Sequence, residues 1–199
     1  MDQEKRQYII LWISSVTGNT KSIACVLIER LLAMGYTPVI RTSGAALSQE
    51  LIGKYQLSEL SGTEMEKYPG LPVILCFWCR RAGMDDRSLE FLAKLHGRDI
   101  LVFGTMGSLP ESDYGKSVYR FVEEKVGEHN NLIGVFLCRG RIDIKRTERR
   151  RRMPKTHRHY LDDKAYQRHL SSRSHPDEED RKKAVAFLEE HIDRFGPSI

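Results

Sequence analysis

One strand–loop–helix unit near the start of the chain limits the fold more than any other feature. Tyr8-Ile9-Ile10-Leu11-Trp12-Ile13 is a compact apolar run rich in β-branched and aromatic side chains, the pattern of a buried strand. A small polar loop follows, Ser14-Ser15-Val16-Thr17-Gly18-Asn19-Thr20. Ile23, Val26, Leu27, Leu31 and Met34 then recur at the spacing of one helix face, and Gly35 marks a stop. A strand that delivers a hydroxyl-rich, Gly-containing loop to a helix start makes an anion site, because free N–H groups and the positive dipole end both face the loop. Phosphate is the guest this chemistry favours. The plain alternative for Thr17 and Thr20 is turn formation and helix capping, which needs fewer hydroxyls than stand here. Neither the Gly-x4-Gly-Lys spacing of a P-loop nor a Gly-x-Gly-x-x-Gly dinucleotide fingerprint is present.

Four more apolar runs read as strands: Thr37–Arg41, Val73–Trp78, Asp99–Phe103 and Leu132–Cys138. Helical patterns separate them, one with Leu89, Leu92 and Leu95, another with Val118, Phe121, Val122 and Val126. Between Ser43 and Leu71 the signal is poor: Leu47 to Leu60 contains a helix candidate, and Ser61-Gly62 and Tyr68-Pro69-Gly70 mark loops. Strands apolar on both faces, alternating with helices, predict an α/β fold with a doubly wound five-stranded parallel sheet, whose ligands bind beyond the carboxyl ends of the strands. At 199 residues and 40% hydrophobic, the chain is expected to be one domain, with its core over 7–138. A polar, basic surface excursion, at best partly ordered, is expected over 139–175. A closing helix over 176–196 starts with Pro176 at its first position and an acidic first turn.

No apolar run approaches the roughly 20 residues of a membrane span, and Met1-Asp2-Gln3-Glu4-Lys5-Arg6 lacks the apolar segment of a signal peptide, so a cytoplasmic protein is expected. Cys25, Cys76, Cys79 and Cys138 lie in apolar runs and read as free thiols. Cys76 and Cys79, three apart in a strand, point to opposite faces and cannot form a bridge. Much of the net charge of +5 sits in the run from Lys145 to Arg152, which suits nucleic acid, an anionic membrane surface, an acidic protein partner or plain solvation. No nucleic-acid motif accompanies it. His157, His159, His169 and His175 lack tetrahedral metal-site spacing. Arg139 and Arg141 follow the fifth strand and are solvated by default, with the cofactor side as the alternative.

Three strand-end loops, Ser14–Thr20, Trp78–Asp85 and Gly104–Gly115, together resemble the flavodoxin family. Ser15-x-Thr17-Gly18-Asn19-Thr20 is similar to that family's phosphate loop. Trp78 and Tyr114 stand where many flavodoxins carry the two aromatic residues that hold the isoalloxazine ring, although rim packing is the ordinary role of such residues. The resemblance implies strand order 2-1-3-4-5 and FMN as cofactor. It implies a site made of Ser14, Ser15, Val16, Thr17, Gly18, Asn19 and Thr20 for the phosphate, with Phe77, Trp78, Cys79, Arg80, Gly83, Gly104, Thr105, Met106, Gly107 and Tyr114 around the ring. Phe103-Gly104-Thr105-x-Gly107 and Ser174-His175-Pro176-Asp177 resemble a flavodoxin-like branch of anaerobic bacteria. The function implied is electron transfer to a partner reductase, with an acidic partner docking near the flavin edge or on the 145–152 run and no nucleic acid or membrane involved. Two other functions stay open: an NAD(P)H-dependent FMN or quinone reductase, and a binding module that has lost its cofactor. Flavodoxins surround the ring with acidic residues, whereas this loop offers Arg80 and Arg81. One positive charge about 8 Å away, at an effective dielectric of about 20, is worth about 2 kcal/mol, which implies a less negative reduction potential.

Overall fold

The structure is a computed structural model that describes residues 7–59 and 70–195. The expected features at residues 1–6, Ser61-Gly62, Tyr68-Pro69 and the last residue of the expected closing helix lie outside the described residues. In chain order the elements are β1 (Gln7–Ile13), α1 (Asn19–Ala33), β2 (Tyr36–Thr42), α2 (Ala45–Tyr55), β3 (Ser58–Glu59), β4 (Val73–Arg80) and β5 (Gly83–Met84). They continue with α3 (Asp86–Leu92), β6 (Asp99–Met106), α4 (Asp113–Gly127), β7 (Asn131–Arg139), α5 (Ile144–Arg151), α6 (Asp163–Ser171) and α7 (Glu178–His191).

The sheet runs β3-β2-β1-β4-β6-β7 with every neighbouring pair parallel, while β5 folds back antiparallel on β4. With the two-residue strands β3 and β5 set aside, the five long strands follow the order implied by the sequence. Alternate strand residues point to opposite faces, so each strand feeds two cores. On one face Ile10, Leu75, Phe77 and Val102 pack with Phe91 and Leu92 of α3 and Val118, Val122 and Val126 of α4. On the other, Leu11, Ile74 and Phe103 pack with Ile23, Leu27 and Leu31 of α1 and Ala184 and Leu188 of α7. Among the described residues no helix is long and apolar enough to cross a membrane. From β1 the chain winds outward through β2 and, in the other direction, through β4. The crevice beyond their carboxyl ends is therefore where a doubly wound sheet takes its ligand.

Several boundaries differ from the sequence expectation, and each moves a candidate residue. β4 extends to Arg80 and β6 to Met106, because each has a neighbour to hydrogen-bond through those positions. Gly104, Thr105 and Met106 are therefore strand residues, paired with Leu137, Cys138 and Arg139, and not an open loop. Gly104 is glycine for packing: a Cβ there would come within 2.6 Å of both Leu137 Cδ2 and the Phe77 ring. Tyr114 lies in the first turn of α4, which Ser112 caps by accepting the Gly115 N–H, and not in the preceding loop. Pro176 precedes α7, whose N-cap is Asp177 in a reciprocal capping box with Asp180.

The largest difference is the 139–175 segment, which carries two helices in place of a loosely ordered excursion. With 8 residues and like charges at i,i+3 and i,i+4, α5 has little support of its own, so tertiary ties hold it. The guanidinium of Arg139, buried at the end of β7, donates to the carbonyl oxygen of Arg168 at 2.6 Å and to Ser171 Oγ at 2.9 Å. The Ile142 N–H donates to Ser172 Oγ at 3.1 Å, Thr147 Oγ1 lies 3.0 Å from His169 Nδ1, and Arg151 pairs with Asp163. Asp143 and Asp162 cap the two helices.

Gly104→Ala is expected to lower stability by about 1–3 kcal/mol, the usual effect of overpacking a core, with the sheet otherwise unchanged. Urea unfolding followed by far-UV circular dichroism checks it.

Candidate functional site

Helix α1 starts on Gly18, at φ +83°, with no side-chain cap. By contrast, α3, α4, α5, α6 and α7 are all capped by Asp or Ser side chains; α2 also starts on a glycine, Gly44, without one, but away from the cleft. Of the α1 amides, Lys21 N–H donates to Ser15 Oγ at 3.1 Å and Ser22 N–H to the Gly18 carbonyl oxygen at 2.9 Å. The earlier amides, those of Asn19 and Thr20, are the donors this helix start offers to a guest.

The loop hydroxyls divide between inward and outward roles. Ser14, 1% exposed, donates from Oγ to Asp85 Oδ1 at 2.8 Å. Thr20, also 1% exposed, holds Thr105 Oγ1 at 2.9 Å and so ties the start of α1 to the end of β6. Thr17 and Val16 are exposed and line the cleft. The Asn19 side chain donates to the Arg141 carbonyl oxygen at 2.9 Å, and Gly140 is glycine because a Cβ would come within 2.7 Å of that amide.

The Cys79–Met84 segment is a tight hairpin. Arg81 and Ala82 occupy its centre at φ 51° and 60°, a left-handed pair that most two-residue turns fill with Asn or Gly. Tyr114 supports this strained turn: its hydroxyl accepts the Ala82 N–H at 2.9 Å and lies 3.6 Å from Cys79 Sγ. Trp78 and Cys79 line the cleft, whereas the exposed Tyr114 bonds the hairpin through its hydroxyl. Phe77 is fully buried, and Gly83 leaves room for the Phe121 ring, so both belong to the core. Arg80 is ion-paired with Asp86, which offsets part of its charge, and the cationic side chains that line the cleft are Arg141, Lys145, Arg146 and Arg149.

Asp85 is a functional residue that the sequence reading missed. It is 2% exposed and accepts from Ser14 Oγ and Ser88 Oγ, each at 2.8 Å, and Ser88 Oγ in turn accepts from Trp12 Nε1 at 2.9 Å. This buried network fastens the first strand-end loop to the second. An Asp just ahead of a helix pattern also signals an ordinary cap, and Asp85 does cap α3.

These elements enclose a cleft of about 540 Å³. One wall is Val16, Thr17, Asn19, Trp78, Cys79, Thr105, Met106 and Gly107. The facing wall belongs to the 139–175 segment: Gly140, Arg141, Ile142, Asp143, Lys145, Arg146 and Arg149. A second cavity of about 580 Å³ adjoins it across Val16, Thr17, Arg141 and Lys145, and includes Arg173. Burial pushes the Cys79 thiol up, against the pull of hydrogen bonds from Tyr114, Ala82 and Gly83. Burial also raises Cys76, which lies on the opposite face from Cys79, so neither acts as a ready thiolate. Burial, then the charges of Arg150, Arg168, Arg146 and Arg139, push His169 down to about 4. His175 lies 2.6 Å from Asp180, with Asp177 nearby, and both carboxylates serve the capping box of α7.

A parallel sheet with an uncapped helix start at its switch point, open to a cleft that reaches an aromatic side chain, defines a phosphate-anchored cofactor protein. Residues 10–189 match the family described as "Flavodoxin domain", and the chain belongs to that family. It is 28% identical over 179 residues to the flavodoxin-like domain-containing protein BilS of Clostridioides difficile (strain CD3), covering 87% of this chain and 90% of that one. Oxidised flavodoxin 1 from Bacillus cereus has a similar fold at 16% identity and TM-score 0.53, covering 95% of this chain and 99% of its own. The flavodoxin of Streptococcus pneumonia TIGR4 is similar at 16% identity and TM-score 0.52, covering 94% and 99%. FMN is the cofactor that goes with this family, and the open α1 start with exposed Thr17 fits its phosphate.

Ala82→Gly is expected to stabilise the protein by about 1 kcal/mol, since glycine adopts the left-handed conformation without a Cβ penalty. Thermal unfolding of the two forms checks it. The folded state holds His169 below its ordinary value, so the unfolded chain takes up the proton first as pH falls. Stability is therefore full above about pH 6.5 and declines toward about 4, the value His169 reaches in the fold. His169→Gln flattens that part of the profile, as urea unfolding at pH 7 and pH 5 will show.

Proposed function

We propose that this chain is an FMN-dependent electron carrier serving a protein partner. The observation that carries the proposal is the uncapped N-terminus of α1, opening on the cleft that Trp78 lines. The amides of Asn19 and Thr20 and the hydroxyl of Thr17 receive the phosphate, and the indole of Trp78 offers a face to the ring. FMN supplies the one- and two-electron redox chemistry, and the protein supplies position and electrostatics. The carboxylate of Asp85 holds the first loop in register with the second, and the hydroxyl of Tyr114 keeps the 79–84 hairpin in shape.

The partner reading rests on charge. Arg150 donates to the His159 carbonyl oxygen and Arg151 pairs with Asp163, so the basic run is partly engaged internally. Arg149 and Arg152 are exposed, with no carboxylate in ion-pair range among the described residues, and Arg149 borders the cleft. They form a docking patch for an acidic protein surface next to the cofactor, whose association weakens as salt rises.

Mixing the purified protein with FMN is expected to perturb the flavin absorbance spectrum and quench its fluorescence. Thr17→Asp, which sets a negative charge against the phosphate, weakens binding by about tenfold or more. Equal binding by the two forms overturns the site. Rapid bleaching of the bound flavin by NAD(P)H alone moves the function from carrier to reductase.

A further inference from the structure

We propose that Arg141 and Lys145 are the counter-charges of the cofactor's phosphate, so that the segment after β7 determines specificity for FMN over flavins without a phosphate. This inference rests on the FMN reading above and concerns the same corner. A phosphate monoester carries about −1.5 to −2 at neutral pH, whereas a helix N-terminus offers only about +0.5. The phosphate loop supplies no cation of its own from Ser14 to Thr20. The nearest cation in sequence, Lys21, is engaged elsewhere, 2.8 Å from Glu50. The cations that border this corner lie across the cleft.

Arg141 and Lys145 line both cavities that touch Val16 and Thr17, so they stand on the ridge facing the phosphate loop. The backbone of Arg141 is pinned to the first residue of α1 by the 2.9 Å bond from the Asn19 side chain, which fixes where its guanidinium starts. Neither Arg141 nor Lys145 has a carboxylate in ion-pair range among the described residues, while Lys21, Arg30, Lys54, Arg80, Arg151 and Lys183 all do. The one acid on this wall, Asp143, accepts the Arg146 N–H as the cap of α5. Two cations without acid partners, held beside amides that lack a cap, suit an oxyanion bearing more than one charge.

The test compares FMN with riboflavin, which has the ring but no phosphate, by quenching of flavin fluorescence at low and high salt. In the Arg141→Ala/Lys145→Ala double variant, FMN affinity is expected to fall by about tenfold or more, with a flatter salt dependence. Riboflavin affinity stays the same. Lys182→Ala, an exposed charge on α7, serves as control and leaves both affinities in place. Arg141→Gln/Lys145→Gln, which keeps the side-chain bulk, gives the same FMN loss if charge is the cause. An FMN affinity within about twofold of wild type in both double variants overturns the proposal, as does an equal loss for the two ligands, while leaving the flavin site itself standing. Failure of the wild-type protein to bind FMN at all removes the flavin reading and this inference with it.

Discussion

The site depends on one helix being left uncapped at the point where the sheet reverses its strand order. Helices α3 to α7 close their first turns with an Asp or Ser oxygen, each taking up a donor that would otherwise face solvent. At α1 the N-cap is a left-handed glycine with no side-chain oxygen to offer, and the loop satisfies only the Lys21 amide, through Ser15 Oγ, leaving those of Asn19 and Thr20 open. The helix dipole and two backbone donors are thereby aimed into the crevice, where the neighbouring strands diverge and nothing of the sheet covers them.

Holding such an open corner in place takes bonds from behind. Ser14 to Asp85, Asp85 to Ser88 and Ser88 to Trp12 make a buried chain of hydrogen bonds between the end of β1 and the start of α3. Thr20 to Thr105 repeats the device between α1 and β6. Buried polar groups cost little when fully paired and much when orphaned, so these contacts specify one arrangement of the loops. The hairpin at Arg81 and Ala82 works differently: its backbone is strained, and the Tyr114 hydroxyl and the pairing of β5 with β4 offset that strain.

The segment after β7 gives the crevice its second wall. It concentrates positive charge there and yet folds, because Arg139 anchors the end of α6 and because burial among arginines keeps His169 neutral at ordinary pH. Its cationic side chains thus divide between those tied into the wall and those that face the cleft and its rim.

The layered fold was legible because each long strand announces itself as a continuous apolar run, and only a parallel sheet covered on both faces accommodates such runs. The strand–loop–helix corner was legible too, since Gly18 and the hydroxyls around it are local chemistry. What local chemistry leaves open is the direction in which a side chain points. Ser14 and Thr20, expected at the phosphate, make buried hydrogen bonds to Asp85 and Thr105, and the hydroxyl of Tyr114, expected beside the ring, accepts the Ala82 N–H. Gly104 was read as loop and is strand, because its neighbours on both sides supply a ladder that no single segment reveals. The excursion, polar and rich in like charges, carries no periodic signal for helices and is ordered by contacts with partners about 30 residues away in sequence, such as Arg139 with Arg168. The sequence by itself determined which residues are buried in strands and where a hydroxyl-rich, Gly-containing loop meets a helix start. The tertiary structure alone decided which loops meet at that opening and which charges face it, because those depend on distances across the sheet that no local pattern encodes.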